Sequence, residues 1–127
     1  MLDQLDTAAA PAWHGTWLRE FGEYRGMRFT SVRVYEFYDN NDRGLLACAA
    51  VEINGALKVA DIKVTVDREG KLRVVMPHRI LKHPRPDGGT TLDTVCPLNA
   101  DVRGWLVRAV LRVYDRELLK RIGKPLN

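Results

Sequence analysis

The chain is short of the residue types on which most catalytic and metal centres depend. It has two cysteines and three histidines among 127 residues, so neither a disulfide framework nor a Cys/His metal site is indicated. No glycine-rich loop follows a strand and opens a helix, which argues against the common nucleotide-binding folds. We therefore expect a protein that is not an enzyme and that has no cofactor, metal or small-molecule substrate.

Long apolar runs are also missing. No stretch reaches the roughly 18–20 apolar residues that span a bilayer, and the first residues lack the basic and apolar regions of a secretory signal. We therefore expect a cytoplasmic protein without membrane contact. Its 46% hydrophobic and 28% charged content over 127 residues predicts one domain with a sizeable core.

Acidic residues become scarce in the C-terminal part of the chain. Residues 1–75 contain ten Lys/Arg and eleven Asp/Glu, for a net charge of −1. Residues 76–127 contain ten Lys/Arg and only five Asp/Glu, for a net charge of +5. The whole positive excess of the chain thus lies at its C-terminal end, an asymmetry that favours a polyanionic partner.

From residue 29 onward the hydrophobic pattern has a period of two, which indicates β-strands. Both faces of the second strand are largely apolar, so it is predicted to lie in the centre of the sheet, covered on both sides. Asn54-Gly55 predicts a tight hairpin, because both residues tolerate the positive φ of a type I′ turn. The predicted strands of this antiparallel meander are 29–38, 45–53, 57–66 and 71–76.

The remainder of the domain combines a proline-rich loop, a short strand and a helix. Pro77, Pro84 and Pro86 argue against regular structure over 77–89, and 91–96 is predicted as a fifth, edge strand. Asn99 is a good N-cap for a long final helix that ends at Gly123, before Pro125. The fold class is therefore α+β: an antiparallel β-meander of about five strands with a long C-terminal helix.

Residues 1–28 form an N-terminal extension to this domain, which comprises residues 29–127. Residues 1–12 are Ala-rich and are expected to be disordered or loosely attached. Residues 13–25 place four aromatic side chains at helical spacing, although two glycines each weaken a helix by about 1 kcal/mol. The extension is therefore expected to be partly helical or disordered. Its aromatic residues are Trp13, Trp17, Phe21 and Tyr24.

One face of the final helix carries four basic residues, each four positions apart, which we call the helix stripe: Arg108, Arg112, Arg116 and Lys120. Arginines along one helix edge can bind successive phosphates. Trp105 lies one turn earlier at the same angle, where it could stack on a base or pack against the sheet. A solvated helix face must also be polar, so the stripe alone leaves a non-binding interpretation open.

A second cationic group is the basic loop, defined by Arg79, Lys82 and Arg85, in which no acid occurs before Asp87. Together the loop and the stripe favour polyanion binding. The apolar arc of the final helix is about 200° wide, more than the ≳100° that a surface helix usually needs. The surplus suggests a homodimer interface.

Five short strings resemble, in the same order, patterns of the SpoVG family (stage V sporulation protein G, or septation protein). The resemblance spans roughly residues 29–116. Residues 1–28 have no counterpart in the family core, the basic loop is longer, and Cys96 stands where the family has a histidine. The strings are Thr30–Val34, Val59–Val64, Val74–Pro77, Pro86–Gly88 and Cys96–Arg103.

This resemblance implies a small α+β domain that dimerises and binds DNA, with RNA as a second ligand, as a regulator. It implies binding roles for Arg79, after the Met-Pro, and for Lys63, in the Asp-Ile-Lys strand. The alternative is a protein–protein interaction module in cell division or septation that does not bind nucleic acid directly. In that case the basic face is only a solvated surface.

Overall fold

The computed structural model describes residues 18–38 and 44–123 as an antiparallel sheet, a separate hairpin and one long helix. This is the α+β arrangement that the sequence predicts. In chain order the elements are a 3-10 turn Arg19–Phe21, β1 Glu23–Tyr24, β2 Met27–Phe37, β3 Leu45–Ile53, β4 Leu57–Val66, β5 Leu72–Val75, β6 His78–Ile80, β7 Thr91–Asp93 and α1 Ala100–Ile122.

The main sheet is a meander in the order β1-β2-β3-β4-β5, with every neighbouring pair antiparallel. The hairpin between β3 and β4 turns at Asn54 and Gly55, whose φ angles are 56° and 62°, as a type I′ turn requires. The Asn54 side chain also accepts a hydrogen bond from the Arg28 backbone N–H at 2.8 Å. The hairpin prediction is confirmed, and this turn is tied to β2 as well.

Helix α1 covers one face of the sheet and completes the core. Its buried residues Trp105, Leu106, Ala109, Val110, Val113 and Tyr114 pack against the apolar faces of the strands. The strands contribute Phe29, Val51, Ile62 and Val64, each fully buried. The helix therefore forms because one of its faces is required to close the core, in addition to its own propensity.

Strand β3 is buried on both faces, as its sequence predicts, although the described residues supply a helix on one face only. Its residues Ala47 to Val51 are at most 4% exposed. On the face away from α1, the small side chains of Cys48 and Ala50 lie opposite the long Lys63 and Arg33 on the flanking strands. The Tyr38 hydroxyl lies 3.5 Å from the Cys48 thiol.

The prediction for residues 77–96 was wrong in its pairing. Strand β6 lies inside the segment expected to lack regular structure, and β7 pairs with β6 instead of joining the main sheet. The prolines do not prevent this, because Pro77 precedes β6 and Pro84 and Pro86 lie in the connecting loop. A local hairpin is thus available, and it competes successfully with the sheet edge.

The predicted helix over 13–25 was wrong where the structure describes it. Residues 19–21 form only a 3-10 turn, and residues 23–24 form β1, the fifth strand of the sheet. Gly22 and Gly26 have φ angles of +70° and +86°, so the chain turns there and pairs with β2. Residues 1–17, with Trp13 and Trp17, residues 39–43 and residues 124–127, with Pro125, lie outside the described residues.

The N-cap of α1 provides a first test of the fold. Asn99 accepts a hydrogen bond from the Val102 N–H at 2.9 Å, and the helix ends before Gly123 as predicted. We expect Asn99→Ala to lower the free energy of unfolding by about 1 kcal/mol, measured by urea denaturation. Asn99→Asp keeps the acceptor and should retain the stability; an equal loss in both variants would contradict the capping role.

Candidate nucleic-acid interface

The basic loop connects β6 to β7, and its three cations are exposed. Arg79 lies on β6 and pairs with Leu92 of β7 in the hairpin register. Arg79 and Lys82 have no acidic partner within residues 18–38 and 44–123, whereas Arg85 contacts Asp87 at 3.3 Å. The Gly89 backbone N–H, followed by Arg85, holds the pKa of Asp87 below its usual range. The loop therefore offers two open cations and one neutralised cation.

The helix stripe is also partly neutralised. Arg116 donates two hydrogen bonds to the Glu20 carboxylate, at 2.6 and 3.3 Å, and Arg112 lies 3.9 Å from the same group. Lys120 contacts Glu117 at 3.4 Å. Arg108 is the member of the stripe that has no acidic partner in the described part of the chain.

The electrostatics of Glu20 follow from these contacts. The hydrogen bond from Arg116, the Arg116 charge and the Arg112 charge together lower the pKa of Glu20, against the partial burial that raises it. The group therefore remains a carboxylate at neutral pH. Glu20 belongs to the N-terminal extension, so its negative charge at the stripe does not follow from the sequence of the helix alone.

The structure decides between the two interpretations of Trp105. Its side chain is only 7% exposed, and its ring stacks on Phe29 with 3.9 Å between the ring centroids. Its indole N–H donates to the Phe21 carbonyl oxygen at 2.7 Å. Trp105 thus packs in the core, and no face of the indole is open for a base to stack on.

The basic loop and the helix stripe lie toward opposite edges of the sheet. Asp93 of β7 lines a groove with β5 and with Arg103 and Val107 of α1. Arg108 and Trp105 line a different groove with β1, and β1 and β5 are the two edges of the sheet. The base of the hairpin and the first residue of the stripe, Arg108, therefore lie in grooves at different edges of the sheet.

The groove at the β5 edge brings together cations that the sequence reasoning did not select. It has a volume of about 450 Å³ and is lined by apolar residues of β5 together with the basic Lys71, Arg73 and Arg103 and the acidic Asp93. Arg73 is bonded to Asp67 at 3.1 Å. Lys71 and Arg73 are two positions apart, and strand residues at that spacing share a face, so their sequence positions indicate a basic edge. The sequence position of Arg103 on the helix does not indicate that it lies near them.

Lys63, which the family resemblance selects, lies on the face of the sheet opposite to α1. Its ammonium group contacts Asp61 at 3.2 Å. Asp61 adopts a positive φ of 61° at an irregularity in β4, where its backbone N–H donates to the Tyr35 hydroxyl at 3.3 Å. Lys63 therefore lies on a different face from the stripe, and its ammonium group pairs with Asp61.

The described residues contain neither a metal-binding cluster nor a membrane-spanning helix. No group of three or more His, Cys, Asp or Glu side chains in residues 18–38 and 44–123 is placed to hold a metal ion. In the same residues no helix is long and apolar enough to cross a membrane.

Comparison with known proteins places this geometry in a family. A model of the SpoVG family matches residues 27–116. This range includes most of α1 and every strand of the main sheet except β1. The chain belongs to the SpoVG family. The matched region contains seven of the eight residues selected from the sequence; Lys120 lies beyond its end, and Glu20 lies before its start.

Curated relatives named for SpoVG and septation agree with this assignment. A protein of Anaeromyxobacter dehalogenans (strain 2CP-C) is 33% identical over 99 residues, which cover 78% of this chain and 89% of the relative. A protein of Caldanaerobacter subterraneus subsp. tengcongensis is 35% identical over 91 residues, which cover 71% of this chain and 90% of the relative. A protein of Myxococcus xanthus is 32% identical over 92 residues, which cover 72% of this chain and 84% of the relative. These names specify no enzymatic activity.

Proposed function

We propose that this SpoVG-family chain is a regulator that binds DNA, with RNA as a second ligand, through phosphate contacts. The observation that carries the proposal is a set of exposed cations without an acidic partner in the described part of the chain. They belong to the region that holds the whole positive excess of the sequence. The set is Arg79, Lys82, Arg103, Arg108 and Arg121.

The proposed binding is weakly specific for sequence. Phosphate contacts fix position and affinity but carry no sequence information, whereas specificity requires side chains that reach base edges. With Trp105 in the core, stacking on bases has no support from this residue. The affinity should therefore depend mainly on salt concentration and on the length of the polyanion.

We further propose that the binding form is a homodimer. Large apolar side chains remain exposed in several places, among them Ile80 at 78% and Leu98 at 94%, around the hairpin, and Leu119 at 69% and Ile122 at 71%, at the end of α1. A second copy could bury such side chains. It would also give a polyanion a longer basic path than one chain offers, because the loop and the stripe lie toward opposite sheet edges.

Fluorescence anisotropy of a labelled DNA duplex over a series of salt concentrations tests the proposal. We expect the logarithm of the binding constant to fall linearly with the logarithm of salt concentration. Removing two phosphate contacts in Arg79→Ala/Lys82→Ala should reduce the slope by about 1.8, at about 0.9 for each contact. Sedimentation equilibrium on the same samples should give twice the 14.4 kDa of one chain.

A matched control removes two exposed cations from the face of the sheet that points away from α1. Arg33→Ala/Lys58→Ala changes the net charge by the same amount and should leave the slope nearly unchanged. An equal reduction of the salt slope in both double variants would show that binding responds to net charge alone. Absence of binding at about 50 mM salt, or a response independent of salt, would overturn the proposal.

The second candidate function is an interaction module for a protein partner in septation. The exposed apolar side chains favour it, and the relatives are named for septation. A protein partner that remains bound after nuclease treatment and at high salt, together with no salt-dependent binding of nucleic acid, would select this function over the first.

A further inference from the structure

The N-terminal extension crosses the helix stripe as a short strap, residues 18–22. Its backbone is attached at two points: the Leu18 N–H donates to the Phe29 carbonyl oxygen at 2.9 Å, and Trp105 donates to the Phe21 carbonyl oxygen. The Phe21 ring packs edge-on against Phe29, with the centroids 6.1 Å apart. These contacts hold the strap in place without using the Glu20 carboxylate.

The acidic side chain of the strap, Glu20, binds the two central arginines of the stripe. Its carboxylate takes both bonds from Arg116, and its backbone carbonyl oxygen accepts a further bond from Arg112 at 3.1 Å. Both of the strap carbonyl groups that face α1, those of Glu20 and Phe21, therefore have donors on the helix. The arginines are oriented by the strap rather than left free in solvent.

An arginine that receives a carboxylate in this way is also suited to a phosphate. The guanidinium group presents parallel N–H donors to either oxyanion, in the same planar geometry. Glu20 thus occupies the position on Arg112 and Arg116 that a backbone phosphate would need. The N-terminal extension supplies an anion of its own to the surface that we propose for nucleic acid.

The contact is of a kind that a polyanion can displace. The side chains of Glu20, Arg116 and Arg112 are 37%, 47% and 56% exposed, so the ion pairs are hydrated and screened by salt. Because Glu20 is tethered, it competes well with single anions at low concentration. A chain of linked phosphates has the same advantage of high local concentration and can replace it.

Displacement does not require the strap to unfold. The anchoring contacts belong to Leu18, Phe21 and Trp105, together with the Glu20 backbone carbonyl group, so the Glu20 carboxylate can change rotamer and release Arg116 while the strap stays in place. The strap also precedes residues 27–116, the part of the chain that the family model matches. The competitor is therefore carried by a segment outside that match.

We propose that Glu20 is a built-in competitor that masks Arg112 and Arg116 until a polyanion of sufficient length displaces it. This inference rests on the proposed nucleic-acid binding and specifies how the helix stripe is regulated. In the free protein the mask leaves Arg108 as the open arginine of the described stripe. Short or weakly charged anions are then rejected, and long polyanions are accepted.

The direct test compares Glu20→Gln with the wild type by anisotropy against salt. Glutamine keeps the size of the side chain and removes its charge. We expect two- to five-fold tighter binding, the factor that corresponds to an exposed ion pair. Because the wild type makes the same phosphate contacts once Glu20 is displaced, the slope of the salt dependence should change by less than about 0.9, the value for one phosphate contact.

The control is Glu69→Gln, at an exposed acid in the turn between β4 and β5. It changes the net charge equally and should tighten binding less. Wild-type protein that does not bind nucleic acid would refute the proposed function itself. Wild-type protein that binds, with Glu20→Gln no tighter than Glu69→Gln, would refute the competitor and leave the function intact.

A double-mutant cycle separates masking from a structural role of Glu20. If Glu20 acts through the two arginines, Glu20→Gln should have no effect on binding in an Arg112→Ala/Arg116→Ala background. The same gain in both backgrounds would overturn the inference. Circular dichroism at the temperature of the assay confirms that each variant is folded.

Discussion

Replacing Trp105 with alanine is expected to lower the free energy of unfolding by about 3–5 kcal/mol. The indole is 7% exposed and stacks on the fully buried Phe29 at 3.9 Å, so truncation removes a large apolar area and leaves a cavity in the core. It also removes the donor to the Phe21 carbonyl oxygen that holds the strap. Denaturation by urea, followed by circular dichroism, measures the loss.

Trp105→Phe separates the two contributions. It keeps an aromatic ring against Phe29 but loses the indole N–H, so we expect it to retain most of the stability that the alanine variant loses. The missing hydrogen bond itself is worth about 1 kcal/mol. A loss below about 1 kcal/mol in Trp105→Ala would contradict the placement of this residue in the core.

Gly44→Ala is the second substitution with a large expected effect, about 2–4 kcal/mol. Gly44 has a φ of +77°, which costs an alanine about 1–2 kcal/mol. A Cβ on Gly44, the residue before β3, would also collide with the carbonyl oxygen of Val66, the last residue of β4. The Val66 N–H donates to the Gly44 carbonyl oxygen at 2.8 Å. The backbone must move to relieve the contact, and the pairing of β3 with β4 is disturbed.

Gly70→Ala is the matched control for this prediction. Gly70 has a similar φ of +83°, but nothing lies within 4 Å of the position of its Cβ. The variant should therefore lose only the conformational contribution, about 1–2 kcal/mol. Equal losses in the two variants, measured by thermal or urea denaturation, would show that the close approach of Gly44 to Val66 does not contribute.

The positions of the cations change how the domain can bind a polyanion. The hairpin that carries Arg79 and Lys82 has Asp93 in the groove with Arg103 at the β5 edge, whereas Arg108 lines a groove at the β1 edge. A nucleic acid that contacts one chain therefore meets two separate basic surfaces, and one of these carries the Glu20 carboxylate. This separation makes the oligomeric state and the strap the two features that matter most for the proposed function.

The predictions that succeeded rest on local signals. Strands β2 to β5 follow from the alternation of apolar residues, and the turn at Asn54 and Gly55 follows from the φ angles these residues tolerate. The cap at Asn99 and the end of α1 before Gly123 are likewise set by neighbours within one helical turn. The SpoVG strings lie in these same elements, which is why the family could be identified from sequence.

The predictions that failed concern segments with two competing arrangements. Residues 91–93 could pair with a sheet edge or with 78–80, and the connecting loop made the second pairing local. Residues 18–25 have helical spacing, but Gly22 and Gly26 let the chain turn and add β1 to the sheet. In both cases the pattern of apolar residues permits either outcome, and the partner available in space decides.

The sequence by itself determined the α+β class, the meander, the final helix, the basic C-terminal region and the family. The tertiary structure alone decided which charges meet. Glu20 and Arg116 are separated by 96 positions, and no periodicity relates them, yet the packing of Phe21 on Phe29 brings them within 2.6 Å. Local patterns specify elements because their interactions span a few residues, whereas the charge of a surface depends on contacts between elements that only the folded chain creates.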